Sequence, residues 1–169
     1  MTSSNTHWVS LAARVVRCIL AKKDIGYAEL ARRLAQYGHV EDEKALASRV
    51  SLGRVRLSLL LQIFCVTNAD FPVLWRAIQV RADAWEAASK LVLREEIRQI
   101  LPMNVDELAE KMIALGAGFT KKTLIAHIED GNLFLPDFLK CLLILRSHSL
   151  DGCIDYKDII AAAEAEPAD

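Results

Sequence analysis

Residues 27–66, YAELARRLAQYGHVEDEKALASRVSLGRVRLSLLLQIFCV, return at 105–144 as VDELAEKMIALGAGFTKKTLIAHIEDGNLFLPDFLKCLLI, without a gap and at a constant offset of 78. The kept pairs are Glu29/Glu107, Leu30/Leu108, Ala31/Ala109, Gly38/Gly116, Leu46/Leu124, Gly53/Gly131, Leu57/Leu135 and Leu61/Leu139, with Lys44/Lys122 the one matched basic pair. Leu, Ala and Gly at these places are what a packed helical unit with tight turns needs. A unit of this size buries little surface alone, so the two copies are expected to share a core or to be joined rigidly.

Working outward, apolar residues keep helical spacing throughout. Trp8, Leu11, Ala12, Val15, Val16, Ile19 and Leu20 define an amphipathic helix over about 6–23. A second helix starts at Tyr27 and closes at Gly38, a residue suited to the position just past a helix end. A third runs from Asp42 or Glu43 to Ser51 with Leu46 and Val50 inward, and a fourth reaches Val66 from Ser58, a candidate N-cap. The same order returns as a helix around Trp85, then 105–115, 120–130 with Thr120 as cap, and 136–146. Phe71-Pro72 suits a helix start, and nothing from Val73 to Ile100 breaks a helix, so one long connecting helix, or two in close succession, could join the units. No stretch alternates in the manner of a strand. The expected fold is therefore all-α: two tandem units of four to five helices at 6–70 and 85–165, joined by a helical segment at 71–84.

The formal charge of −1 hides an uneven distribution, +5 over residues 1–80 and −6 over 81–169, which makes the first copy the better anion binder. Cys18, Cys65, Cys141 and Cys153 have no metal-ligand spacing, and the first three lie in apolar helical stretches as small hydrophobes. His7, His39, His127 and His148 are scattered. Neither nucleophile elbow, phosphate loop nor dinucleotide fingerprint occurs, and no acidic pair is spaced for acid/base work, so no catalysis, cofactor, metal or small-molecule substrate is expected. Residues 150–158, LDGCIDYKD, hold too few carboxylates for a calcium loop and read as a turn before a capped closing helix. The N-terminus lacks a secretory leader and no apolar run approaches the ~20 residues of a membrane span. A soluble, cytoplasmic protein is expected.

The segment Glu29-Leu30-Ala31-x-x-Leu34-x-x-x-Gly38, with a short helix ending near Gly53 and an apolar helix from Leu57, resembles the helix-turn-helix unit of lambda-repressor (Xre) type repressors. It is closer to an uncharacterised bacterial domain family with a Tyr-Ala-Glu-Leu-Ala helix (Tyr27–Ala31), a turn glycine (Gly38) and a basic-x-x-x-Gly segment (Arg49–Gly53). The resemblance implies a helical bundle and, at the level of the family, DNA binding.

A DNA reader needs polar side chains for base edges and basic ones for phosphates. Candidates in the first copy are Lys44 on the third helix, Arg49, Arg54 and Arg56 at and after its end, and Arg32 and Arg33 on the second helix. In the second copy they are Lys121 and Lys122, which open the third helix beside Thr120. The leading expectation is a non-catalytic, DNA-associated regulator. The alternative is a helix-turn-helix scaffold used for protein contacts or oligomerisation, and either reading expects a homo-oligomer or a protein partner.

Overall fold

In a computed structural model, which describes residues 3–78, 84–100 and 103–165, the first unit opens with α1 (Ser3–Lys22), α2 (Tyr27–Ala35), α3 (Glu43–Ser51) and α4 (Leu57–Val66). A single 3-10 turn (Val73–Trp75) precedes α5 (Trp85–Arg98), α6 (Val105–Ala114), α7 (Lys121–Glu129), α8 (Leu135–Ile144) and the closing α9 (Tyr156–Glu164). The fold is all-α: among the described residues the only β-type pairing is one antiparallel bridge, Arg56 with Phe134.

The 78-residue offset holds in the backbone. Shifting α3 and α4 by it gives the bounds of α7 and α8. The turns match as well: φ is +91° at Gly38 and +90° at Gly116, +67° at Gly53 and +68° at Gly131, +56° at Asn68 and +53° at Arg146. Each left-handed residue lets the next N–H reach back to a helical carbonyl, as in His39 N to Leu34 O (3.1 Å) and Ala117 N to Met112 O (3.1 Å). The third helices are capped alike, with Asp42 accepting from Ala45 N (2.8 Å) and Thr120 from Thr123 N (3.2 Å).

The fourth helices begin differently from expectation. Ser58 is not a cap but lies buried inside α4, whose N-cap is Arg56 with no side-chain cap bond. The reason is the bridge. Leu57 N donates to Leu133 O (2.9 Å) and Leu135 N to Val55 O (2.7 Å), two bonds that exchange places under the offset of 78. Each fourth helix therefore has a leading N–H satisfied by the backbone of the other copy, a local two-fold relation that makes a side-chain cap dispensable there.

Packing follows the same exchange. α1 packs on α3 of its own copy and on α8 of the other, while α5 packs on α7 and on α4. α4 touches α8 directly, and α9 closes over α1 and α8. One apolar core thus runs through both copies, from Trp8, Val15 and Leu30 to Leu108, Phe138 and Leu142. This is why α1 is apolar on more than one side: Leu11, Ala12, Ala13, Val15 and Val16 are all buried.

The expected connecting segment at 71–84 is described only in part. Val73–Trp75 is one 3-10 turn, and Ala84, ahead of α5, has φ −140° and ψ 46°; residues 79–83 of the expected linker lie outside the described ones. Trp75 in that turn is 1% exposed, packs edge-on against Phe64, and donates its indole N–H to buried Glu96 of α5 (2.8 Å). Ser149 donates to the same carboxylate, which ties the loop after α8 to α5. The closing helix starts at Tyr156 after Asp155, which makes no side-chain cap bond, so the expected cap is absent.

The copies differ inside as well. Lys140 on α8 is 1% exposed, bonded to Asp137 (3.1 Å) and 5.4 Å from the Trp8 ring centre. The first copy has Gln62 and Leu59 at those places. Cys141 is fully buried and Cys18, Cys65 and Cys153 partly so, all as free thiols. Among the described residues no helix is long and apolar enough to cross a membrane, and no group of three or more His, Cys, Asp or Glu side chains is placed to hold a metal.

Candidate nucleic-acid interface

The helix pairs α2–α3 and α6–α7 each pack together across a short connection, and the loops that leave α3 and α7 meet at the Arg56–Phe134 bridge. All eight basic residues read from the sequence lie on these pairs or their loops. Their surroundings separate them into two sets.

Five are engaged with the protein. Arg32 and Arg33 both bond Glu29, one turn earlier on α2 (2.6 and 2.9 Å), and Arg33 also donates to Val66 O at the end of α4 (3.0 Å). The two guanidiniums, Arg32 first, hold the Glu29 carboxyl down at about 2. Arg49, on the last turn of α3, grips Glu41 in the preceding turn through Nη2 (2.8 Å) and Nε (3.0 Å) and donates to Arg54 O (3.2 Å). This fork keeps Glu41 below the usual carboxylate range and raises Arg49. The acidic turn ahead of α3 is therefore a brace: one carboxylate caps the helix through Asp42 and the other pins its far end. Lys121 contacts Asp106 and Glu110 on α6 (2.7 Å each), which raise its pKa, Asp106 first. Arg56 donates to Asn132 O (3.0 Å) and lies 4.4 Å from the Phe134 ring centre.

Three remain. Lys44 and Lys122 occupy equivalent places on the first turns of α3 and α7, and Arg54 lies in the loop after α3. Each is exposed and has no ion-pair partner among the described residues. The matched lysine pair of the repeat is thus also a matched pair of available surface cations.

Sequence reasoning missed the aromatic side of the bridge. Phe134 stacks on Phe119 (6.2 Å, 7° between planes), and Phe119 meets His127 edge-on (4.9 Å). A signal was present: Phe134 is the residue aligned with Arg56 at the offset of 78. Arg17 of α1 also reaches this side, donating to Ser51 Oγ (3.2 Å). Cation, aromatic ring and backbone carbonyl here lock the two loops together across the local axis.

Residues 8–70 match the model of a domain of unknown function, DUF6471. That match begins at Trp8 inside α1 and ends at Asp70 in the loop after α4, and it leaves the second copy outside it. No curated protein and no solved structure matches the chain.

Proposed function

We propose that the chain is a non-catalytic, DNA-associated regulator in which two helix-turn-helix-like units are paired within one polypeptide. The observation that carries this reading is the reciprocal bridge, Leu57 N to Leu133 O and Leu135 N to Val55 O, which pairs the loops following the two third helices about a local two-fold. Dimeric helix-turn-helix proteins obtain such a relation from two chains, and their two reading helices then address two half-sites. Lys44, Lys122 and Arg54 are the cations available for phosphate, and Arg49, Arg32, Arg33 and Lys121 act as braces that hold the presenting helices. Because Arg56 is spent on Phe134, contact is expected to be dominated by backbone phosphates and weak in sequence preference.

A second reading is favoured by one specific observation: carboxylates of the chain itself already engage Arg32, Arg33, Arg49 and Lys121. A scaffold so neutralised suits protein contacts or oligomerisation, and it expects stable self-association or a protein partner without DNA. Fluorescence polarisation with a labelled random duplex at low salt separates the two. Saturable binding at low salt that a Lys44→Gln/Arg54→Gln/Lys122→Gln variant weakens supports the DNA reading. Absence of binding at low ionic strength, with light scattering showing a stable oligomer, supports the other.

A further inference from the structure

We infer that the cleft between the C-terminal ends of α1, α4 and α8 binds a small organic anion, an apolar body carrying a phosphate or a carboxylate. The cleft measures about 870 Å³, within the ~300–1,000 Å³ typical of small-molecule sites. It lies at the ends of α4 and α8 remote from the bridge, and equivalent loops of the two copies form its walls: 69–76 after α4 and 145–152 after α8. Ile19, Phe71, Leu74 and Leu145 give it an apolar floor.

Charge decides what fits. Lys22, Lys23, Arg76 and Arg146 line the cleft against one carboxylate, Asp70. Unlike the braces on α2, α3 and α7, none of these four has a carboxylate partner among the described residues; Lys22 and Arg76 reach only the carbonyls of Gly152 and Phe71. Three helix C-termini at about half a negative charge each account for only about half of that excess. The remainder favours an anion.

Arg146 carries an independent sign. At φ +53° it occupies a left-handed conformation, where the equivalent residue of the first copy is Asn68, a residue that tolerates it. A bulky cation is thus kept at a place where glycine or asparagine would be less strained, and it lines the cleft. Strain retained at a binding surface is a mark of function when the side chain faces the site.

The test is isothermal titration calorimetry of the full chain with phenyl phosphate, benzoate, inorganic phosphate and benzyl alcohol. Saturable 1:1 uptake of phenyl phosphate or benzoate is expected, the tighter of the two identifying the headgroup, with inorganic phosphate and benzyl alcohol at least about tenfold weaker. Lys23→Gln/Arg146→Gln should weaken uptake at least tenfold, whereas Lys44→Gln, which does not line the cleft, leaves it unchanged. Arg146→Gly keeps the test independent of folding: affinity is expected to fall while Tm rises by about 2–4 °C as strain is relieved. Uptake that is absent, unaltered in the cleft variants, or equally tight for inorganic phosphate overturns the inference.

Discussion

Substituting alanine at three of the glycines that end helices separates backbone strain from packing. Gly38, Gly53 and Gly131 all have positive φ, so a side chain at any of them costs about 1–2 kcal/mol, offset by about 0.4–1 kcal/mol because alanine stiffens the unfolded chain. At Gly38 nothing lies within 4 Å of the added Cβ, so the net loss is expected to stay near 1 kcal/mol. At Gly53 the Cβ would stand 3.0 Å from Pro136 Cγ and 3.1 Å from a Val9 methyl, side chains that can give by a few tenths of an ångström. At Gly131 it would stand 2.4 Å from both the N and Cα of Lys90, in the backbone of α5, which cannot. Overpacking of this kind adds about 1–3 kcal/mol, giving roughly 3 kcal/mol in all for Gly131→Ala. At about 2–4 °C per kcal/mol, thermal unfolding followed by circular dichroism should show losses of about 2–4 °C at Gly38 and about 6–12 °C at Gly131, with Gly53 between. Equal losses at Gly38 and Gly131 would refute the close approach of α5 to the turn after α7.

The buried Asp137–Lys140 pair yields a second expectation: Lys140→Ala, which strands the carboxylate, should cost about 3–5 kcal/mol in urea denaturation, whereas Asp137→Leu/Lys140→Gln, which installs the first copy's residues, should cost less than either single change. A double variant as unstable as the sum of its parts contradicts this. A third concerns acid. Glu29 titrates at about 2 in the folded state because of Arg32 and Arg33, and Glu41 is lowered by Arg49. Both folded values lie below the unfolded ones, so the stability from these pairs is fully present above the ordinary Glu pKa of about 4.3 and is lost as pH falls toward about 2. Urea midpoints followed on acidification should therefore drop less steeply in an Arg32→Gln/Arg33→Gln/Arg49→Gln variant, and parallel curves would remove the pairs from the explanation.

Much of the fold was legible because it is written in local signals. Leu46 and Val50 inward, Gly38 and Gly53 at helix ends and Thr120 as a cap all follow from spacing and from what each residue type can do with its backbone. Ser58 was misread because the group that satisfies the start of α4 is Leu133 O, 76 residues away, and no local propensity reports it. The 3-10 turn at Val73–Trp75 was not legible either, because its buried indole is held by Glu96, a partner 21 residues further on. At the candidate interface, the position of every cation was legible but its freedom was not. The Glu29–Arg32–Arg33 cluster could have been read from i, i+3 and i, i+4 spacing; the Glu41–Arg49 fork, which closes a turn, and the Lys121 contacts to Asp106 and Glu110, which join two helices, needed the folded chain.

The salt dependence of duplex binding tests the central claim most directly. Each phosphate neutralised steepens the fall of log K with log salt by about 0.9. If Lys44, Arg54 and Lys122 are the phosphate contacts of a paired reader, replacing all three with Gln should make that slope shallower by about 2.7, while Arg32→Gln/Arg33→Gln leaves it unchanged. A slope that the triple variant does not alter, or a chain that takes up no duplex at low salt, would contradict the assignment.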